Sequence, residues 1–340
     1  MRRHCSRDPF IRVVAGHPLQ GNTMDASSTF NARVRRLSAV ADGVLAIELG
    51  HADGGLLPAW DAGAHIDLKL PNGIARQYSL CGELADRETW RIAVLREPNS
   101  RGGSAYVHDA LRAGDVIPVS GPRNNFALTD ANRYLFIAGG IGITPILPML
   151  KEASRHGRPW TLVYGGRTRG SMAFLDEIAG HQDADISIVP QDEFGLIDLD
   201  RHLSVPQRGT LIYCCGPGPL IDAVEGASRC WPPASLHRER FAPKLVAEPA
   251  AGDSFEVELA LSGQVLVVGE DDSLLEVLEN AGYQVTNSCR AGICGTCLLK
   301  VAAGEPDHRD DLLDDEQRAS NAMILPCVSR SKTKRLVLQL

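Results

Sequence analysis

The chain has 340 residues, of which 44% are apolar, and a formal net charge of −7. This length predicts two to three domains with ordinary hydrophobic cores. The excess of acids and the lack of a lysine- and arginine-rich run argue against nucleic acid or an anionic membrane surface as a partner. No apolar run in the sequence approaches the roughly 20 residues that span a bilayer.

Residues 1–27 show no hydrophobic periodicity, and we predict a disordered extension with Met24 as a candidate natural start. Arg12, His17 and Pro18 interrupt the only apolar stretch there, which argues against a secretory signal. The expected location is therefore the cytoplasm, where the nine cysteines would stay reduced.

The first predicted domain, residues 28–125, consists of short apolar runs separated by turns, with Asn72-Gly73 between two of them. This pattern predicts an antiparallel β-barrel. Arg76-Gln77-Tyr78-Ser79-Leu80 lies on one predicted strand, where successive side chains point to opposite faces. Arg101-Gly102-Gly103-Ser104 precedes a short helix, and free amides at a helix N-terminus can bind phosphate. Each motif alone is also compatible with an ordinary strand or turn.

In the second predicted domain, residues 126–241, strands alternate with helices, which predicts a parallel sheet with helices on both faces. A buried strand runs into a glycine-rich loop, with Thr144 expected as the N-cap and Pro145 as the first residue of the next helix. A pyrophosphate can lie against such a turn, although a generic turn has the same pattern. The last strand ends in Cys215-Gly216-Pro217, at the edge where nucleotides bind; the alternative is that Cys215 is a small buried apolar residue.

A Pro/Ala/Gly-rich linker at 242–253 leads to a third predicted domain, residues 254–340, with a small grasp-like sheet. Cys289, Cys294, Cys297 and the later Cys327 have the spacing of a plant-type 2Fe-2S cluster. A zinc site or unrelated core cysteines are the alternatives, but a zinc ribbon usually has two C-x2-C knuckles. The acids between Cys297 and Cys327 are expected to form either a solvated face or a docking surface for a basic partner.

Six motifs follow one another in the order R-Q-Y-S-L, R-G-G-S, G-G-I-G-I-T-P, C-G-P, H-R-E-R-F and the cysteine loop. In this order the chain resembles the phthalate dioxygenase reductase family, and most closely its vanillate O-demethylase reductase branch, from Thr29 to Leu340. The resemblance implies a multidomain fold: a ferredoxin reductase-like barrel that binds FMN, an α/β nucleotide domain that binds NAD, and a C-terminal β-grasp ferredoxin domain.

The resemblance also implies roles for individual residues. Arg76 and the Gly102-Gly103-Ser104 turn would hold the FMN phosphate, Ser79 would lie near the reactive N5, and the nicotinamide would lie near Cys215. The catalytic candidates are Ser79, Cys215 and Phe241. Of these, Phe241 would cover the flavin. The full set of expected cofactor-binding residues is His65, Arg76, Gln77, Tyr78, Ser79, Leu80, Arg101, Gly102, Gly103, Ser104, Gly139, Gly140, Gly142, Thr144, Pro145, Arg167, Cys215, Gly216, Pro217 and Phe241.

The expected function is an NAD(P)H-dependent reductase that passes electrons from NADH through FMN and a 2Fe-2S cluster to a terminal Rieske-type aromatic oxygenase or O-demethylase. A haem-thiolate monooxygenase is the alternative acceptor, and a non-enzymatic redox sensor is a further hypothesis. A monomer is expected. The end of the second strand of the nucleotide domain carries Arg167 and Arg169 but no acid, which alone favours NADPH, whereas the family favours NADH.

Overall fold

A computed structural model describes residues 29–181, 184–243 and 253–340. The predicted disordered extension, 1–27, and most of the predicted linker, 242–253, lie outside these ranges. The chain divides into two compact units, Met1–Ile66 with Tyr78–Glu239 and Asp67–Gln77 with Arg240–Leu340. Within the described ranges, every helix is too short or too polar to cross a membrane.

A six-stranded sheet in the order β4-β3-β6-β1-β2-β5 forms the first predicted domain. Its strands are β1 (Thr29–Ala41), β2 (Val44–His51), β3 (His65–Lys69), β4 (Ala75–Ser79), β5 (Trp90–Leu95) and β6 (Val116–Arg123), with helix α1 at Gly103–Asp109. β1 pairs antiparallel with β2 and β6, and β2 pairs antiparallel with β5. An antiparallel bridge between Leu80 and Ile92 joins the two ends of this order. The sheet therefore closes on itself, which confirms the predicted barrel.

Five parallel strands in the order β11-β10-β7-β8-β9 form the second sheet. They are β7 (Arg133–Gly139), β8 (Trp160–Gly166), β9 (Asp185–Pro190), β10 (Thr210–Cys215) and β11 (Leu236–Glu239). The helices between them are α2 (Ile143–Arg155), α3 (Leu175–Ala179), α4 (Gln191–Phe194), α5 (Leu199–Leu203) and α6 (Gly218–Ala227). The predicted α/β architecture is confirmed; β6 and β11 were not anticipated from the sequence.

The predicted start of α2 is wrong by two residues. The chain makes a 3-10 turn at Gly140–Gly142 directly after β7, so Gly142 is the N-cap and no side chain caps the helix. Thr144 is instead buried in the first turn, where its hydroxyl donates to the Ile141 carbonyl at 2.9 Å. Pro145 is also in this turn, where a missing backbone N–H costs nothing because that group has no intrahelical partner.

The barrel and the parallel sheet share one hydrophobic core through residues of the first unit. Val44, Cys81 and Ala93 from the barrel belong to the same buried cluster as Phe136 and Tyr164 from the sheet. Burial of apolar surface is the main favourable contribution to folding. The two sheets are therefore stabilised together.

The third sheet has the order β13-β12-β18-β14-β16, beside a small two-stranded sheet of β15 and β17. Its elements are β12 (Phe255–Leu259), β13 (Val265–Val268), α7 (Leu274–Asn280), β14 (Leu299–Ala303), β15 (Pro306–Asp307), α8 (Asp315–Ser320), β16 (Met323–Ile324), β17 (Arg330–Ser331) and β18 (Arg335–Leu338). Helix α7 packs on the sheet through Leu274, Leu275 and Leu278. Ser273 caps α7 by accepting from the Glu276 amide.

The acids between the third and fourth cysteines do not form one solvated face. Asp310 is buried and accepts hydrogen bonds from the Leu312 and Leu313 amides. Asp314 caps α8 in a capping box with Gln317. These two acids stabilise the loop itself.

Candidate functional site

The cysteine loop lies between α7 and β14, with Cys327 supplied from the segment after β16. The Sγ atoms of Cys297 and Cys327 are 3.4 Å apart. The Ala291 amide donates to Cys289 Sγ at 3.3 Å, and the Thr296 amide donates to Cys294 Sγ at 3.4 Å. These amides point at the ligand sulfurs, as a cluster-binding loop requires.

Glycine allows the tight path of this loop. Gly292 has φ +70°, and a Cβ there would lie 2.6 Å from a Val328 methyl and 3.1 Å from the Asp310 Cα. Asp310 therefore packs directly against the loop, and the Asp311 amide donates to the Gly292 carbonyl. The acid segment thus holds the loop in place.

The four thiols interact as two pairs, Cys289 with Cys294 and Cys297 with Cys327. The hydrogen bond from Cys289 lowers the pKa of Cys294 to about 5, and the pKa of Cys289 rises correspondingly. The hydrogen bond from Cys297 likewise lowers the pKa of Cys327 and raises that of Cys297. In each pair the thiol that accepts the hydrogen bond is thus the more acidic one, and thiolate is the form that binds iron.

The parallel sheet has its topological switch point between β7 and β10, because β8 and β9 continue on one side and β11 on the other. Loops at such a point separate and leave a crevice where dinucleotides bind. Here the two loops come together backbone to backbone: a Cβ on Gly142 would lie 2.3 Å from the Cys215 carbonyl oxygen. A Cβ on Gly216 would lie 3.0 Å from the Gly139 backbone. Only glycine permits this approach.

Cys215 is fully buried below this edge. Burial raises the pKa of its thiol far above the usual range, and the neighbouring Glu239 carboxyl raises it further. The thiol is therefore neutral at physiological pH. The expected contact of Cys215 with the nicotinamide remains a prediction. A neutral, buried thiol would present an apolar surface at that contact.

Glu239 is a residue that the sequence reasoning missed. It ends β11, paired in register with Cys215 on β10, and the Ser79 hydroxyl donates to its carboxyl group. Although the residue keeps some exposure, its Oε2 atom is buried without a hydrogen-bond partner among the described residues. Burial raises its pKa to about 8. Two catalytic candidates, Ser79 and Cys215, therefore flank a carboxyl group that can hold a proton at neutral pH.

The R-Q-Y-S-L motif runs along β4 and just beyond it. The Arg76 guanidinium donates to the neighbouring Ala75 carbonyl at 2.8 Å. Gln77 has a buried Nε2 atom that lacks a hydrogen-bond partner among the described residues. Ser79 and Leu80 are buried.

In the R-G-G-S turn, Gly102 has φ +95° and is the N-cap of α1. The Ser100 hydroxyl accepts from the amides of Gly102 and Ala105, and the Ser104 hydroxyl donates to it. The amides of Gly103 and Ser104 are the other donors at this helix start. Arg101 is exposed beside them.

The arginines after β8 have different surroundings. Arg167 is exposed, whereas the Arg169 guanidinium pairs with Glu193 through Nε at 3.2 Å and Nη2 at 3.1 Å. Glu193 lies in α4, immediately after the adjacent strand β9. The residues at the end of β8 give no sign of this acid, which follows the neighbouring strand instead; its signal in the sequence is the Asp192-Glu193 pair, one residue beyond the end of β9.

Three further residues, His65, Tyr78 and Phe241, were predicted to contact the flavin. His65 is buried on β3, and Tyr78 is half-buried on β4. Phe241 is 43% exposed. Their flavin contacts remain predictions.

A closed barrel, a parallel sheet whose two glycine loops meet at its switch point and a four-cysteine loop together define a nucleotide-dependent iron-sulfur oxidoreductase. Residues 257–332 match the model of the 2Fe-2S iron-sulfur cluster binding domain, and residues 136–226 match that of the oxidoreductase NAD-binding domain. The first match favours the cluster over the zinc alternative.

The chain is 43% identical over 322 residues to phenoxybenzoate dioxygenase subunit beta of Ectopseudomonas oleovorans, covering 93% of this chain and 100% of that protein. It is 40% identical to vanillate O-demethylase oxidoreductase of a Pseudomonas strain, covering 90% of this chain and 98% of that protein. The chain belongs to the phthalate dioxygenase reductase family, as predicted.

Two solved structures extend the comparison. The structure of phthalate dioxygenase reductase, described as modular for electron transfer from pyridine nucleotides to 2Fe-2S, matches with a TM-score of 0.67 and 34% identity, covering 92% of this chain and 98% of that one. An intact type IV self-sufficient cytochrome P450 monooxygenase matches with a TM-score of 0.87 and 40% identity, covering 92% of this chain but 41% of that one. The predicted three-part fold is confirmed.

Replacing Glu239 with Gln should change how stability depends on pH. A carboxyl group whose pKa is raised to about 8 by folding binds a proton in the folded state, so its contribution to stability falls as pH rises from about 5 to 8. We expect the parent to lose on the order of 2 kcal/mol relative to Glu239→Gln over this range. Urea unfolding followed by circular dichroism at pH 5 and pH 8 measures the difference.

Glu88→Gln, at an exposed glutamate, is the control. An identical pH dependence for the parent and Glu239→Gln would contradict the raised pKa of Glu239.

Proposed function

We propose that this chain is the NADH-dependent reductase component of a Rieske-type aromatic oxygenase or O-demethylase. In this function, electrons pass from NADH to FMN, then to the 2Fe-2S cluster, and then to the partner. The observation that carries the proposal is that one chain combines the cluster-binding cysteine loop with a nucleotide-binding sheet that shares its core with a closed barrel. The partner type is supported by relatives named for dioxygenase and demethylase systems.

A haem-thiolate monooxygenase is the second candidate acceptor. The observation in its favour is the similarity to a self-sufficient cytochrome P450 monooxygenase. We place it second because the curated relatives cited above, which are matched over nearly their full length, are named for dioxygenase and demethylase systems. Because the chain belongs to a family of reductases, we no longer favour the hypothesis of a non-enzymatic redox sensor. Cytoplasmic location and a monomeric state remain predictions.

The residues of β4 fit a bound flavin. Glu239 Oε2, next to Ser79 at the end of β4, is a buried polar atom that lacks a partner among the described residues, and a buried polar group without a partner is costly unless a ligand completes it. Following the family resemblance, Arg76 and the Gly102-Gly103-Ser104 turn would hold the phosphate of FMN. When bound, the flavin converts the two electrons of a nicotinamide into the single electrons that a cluster accepts.

The protein's own contribution at the flavin is to place groups and to hold a proton. Ser79 orients the Glu239 carboxyl through their hydrogen bond. Because the pKa of Glu239 is about 8, this carboxyl is mostly protonated at pH 7 and can donate a hydrogen bond. The neutral thiol of Cys215 adds an apolar surface next to this carboxyl group.

At the cluster, Cys289 and Cys294 would hold one iron, and Cys297 and Cys327 the other. This pairing follows the two hydrogen-bonded thiol pairs. The Ala291 and Thr296 amides donate to ligand sulfurs, and such hydrogen bonds tune the potential of a cluster.

Glu193 supports the choice of NADH over NADPH. It neutralises Arg169, and its own charge would repel a ribose 2′-phosphate near that arginine. NADH therefore remains our proposal even though two arginines follow β8.

Changing Cys294 to Ser should remove the cluster but leave reduction of the flavin by NADH intact, because none of the residues proposed to bind the flavin or the nicotinamide is a cluster ligand. Reduction of ferricyanide should persist, while delivery of electrons to a 2Fe-2S oxygenase component should fail. Cys81→Ser, which changes a buried thiol of the barrel, should keep the visible absorbance of the cluster. Delivery by Cys294→Ser at the parent rate would refute a path through the cluster.

Replacing Arg76 with Ala should weaken retention of FMN. A charge-assisted hydrogen bond to phosphate is worth roughly 1.5 to 3 kcal/mol, so its loss should raise the Kd for FMN about 10- to 100-fold. Arg112→Ala is the matched control, because that guanidinium also donates to the carbonyl of the preceding residue at 2.8 Å. Flavin fluorescence after dilution measures the release, and mass spectrometry of the released flavin distinguishes FMN from FAD. Full flavin content in Arg76→Ala would remove this arginine from the site.

The parent should show a higher kcat/KM for NADH than for NADPH, and Glu193→Gln should narrow the difference. Because this charge pair is exposed and screened by solvent, we expect a small shift, of up to about fivefold. In the Glu193→Gln background, Arg169→Ala should remove the increase in kcat/KM for NADPH, whereas Arg167→Ala should leave that increase unchanged. A parent that prefers NADPH would overturn the proposal.

A further inference from the structure

The segment after β8, residues 168–177, joins the carboxyl edge of the parallel sheet to the barrel at two separate points. The first is a backbone hydrogen bond: the Asp42 amide, in the turn between β1 and β2, donates to the Gly170 carbonyl at 2.8 Å. Gly170 directly follows Arg169, which the proposed function places at the nucleotide. A group beside the dinucleotide is thus tied to the barrel.

The second point is a pair of charged side chains. Arg91 on β5 donates to both carboxylate oxygens of Glu177 in α3, through Nη1 at 2.5 Å and Nη2 at 2.9 Å. The same guanidinium donates to the Cys81 carbonyl through Nε at 3.2 Å and Nη2 at 2.6 Å. Arg91 therefore connects the seam that closes the barrel with the first helix after β8.

The surroundings make this pair rigid. The Arg91 guanidinium lies 4.8 Å from the ring centroid of Phe174, a buried residue with φ +64°. Lys151 of α2 pairs with Glu83 and also lies 3.6 Å from Glu177. Burial raises the pKa of Glu177, but the hydrogen bond and charge of Arg91 outweigh this effect, so its pKa lies below the usual range.

An ion pair of this kind adds little to global stability when a large core already holds the two sheets together. A bidentate guanidinium-carboxylate pair does, however, fix distance and orientation. Transfer of a hydride is sensitive to both, because a displacement of about 1 Å can cost roughly 100-fold in rate.

We propose that Arg91 and Glu177 are positioning residues for transfer of a hydride from NADH to FMN. They act by fixing the parallel sheet against the barrel. In the step concerned, two electrons and one proton leave the reduced nicotinamide as a hydride, giving NAD+, and FMN accepts them to give FMNH−. This inference rests on the proposed function.

The test compares Glu177→Gln with Asp109→Asn. Asp109 also forms a bidentate pair, with Arg96, but that pair lies wholly within the barrel domain. Stopped-flow reduction by NADH gives the limiting rate and the Kd separately. For Glu177→Gln we expect the limiting rate to fall about tenfold with unchanged Kd, FMN content and cluster content. Asp109→Asn should match the parent.

A second readout does not depend on activity. Hydrogen exchange of the Asp42 amide should become faster in Glu177→Gln, with or without FMN, because the segment that accepts its hydrogen bond is held less firmly. Arg91→Gln should have a similar effect, and in the double variant the two losses of rate should not add, since both act through one pair.

A limiting rate in Glu177→Gln equal to that of the parent would overturn the proposal. A loss of rate that only follows loss of FMN would also overturn it, since the role would then be structural. Should Glu177→Gln fail to fold, Glu177→Asp applies the same criteria with the charge kept and the reach shortened. A parent that NADH does not reduce would instead refute the proposed function.

Discussion

The hydrophobic core shared by the barrel and the parallel sheet is the interaction on which the first unit depends. Tyr213 of β10 illustrates it: its ring contacts Phe126 with centroids 5.4 Å apart, and its hydroxyl donates to the Ala127 carbonyl at 3.0 Å. The same hydroxyl accepts from the Thr129 amide at 2.7 Å. The segment at 126–129, which connects the barrel to the parallel sheet, is therefore bound to β10, an interior strand of that sheet. Because apolar packing is not directional, polar groups must set the final geometry between the two sheets.

Those polar groups lie where strands end. Glu239 is the last residue of β11, Glu193 follows β9, and Arg91 lies on the barrel strand that meets the closing seam. Glu239 and Glu193 thus lie at the carboxyl edge of the parallel sheet, beside the candidate cofactor positions. Their placement follows from topology, since parallel strands bring their carboxyl ends to one edge.

Much of this arrangement could be predicted from the sequence. The cysteine spacing indicated the cluster because its ligands are close along the chain, and alternating strands and helices indicated the parallel sheet. The helix start at Thr144 was mispredicted because a 3-10 turn absorbed the glycines, a detail that hydrophobic periodicity does not record. The pairs Arg169–Glu193 and Arg91–Glu177 could not be predicted, since 24 and 86 positions separate their members and only the fold brings them together.

The closing seam of the barrel has a consequence for how the first unit unfolds. Three consecutive residues take part in different interactions there: Ser79 donates to Glu239, Leu80 bridges to Ile92, and the Cys81 carbonyl accepts from Arg91. Opening this short stretch would break barrel closure and the link to β11, and would remove the carbonyl that holds the Arg91 guanidinium beside α3, in a single event. The barrel and the parallel sheet should therefore melt as one cooperative unit, with no populated state in which one is folded and the other is not.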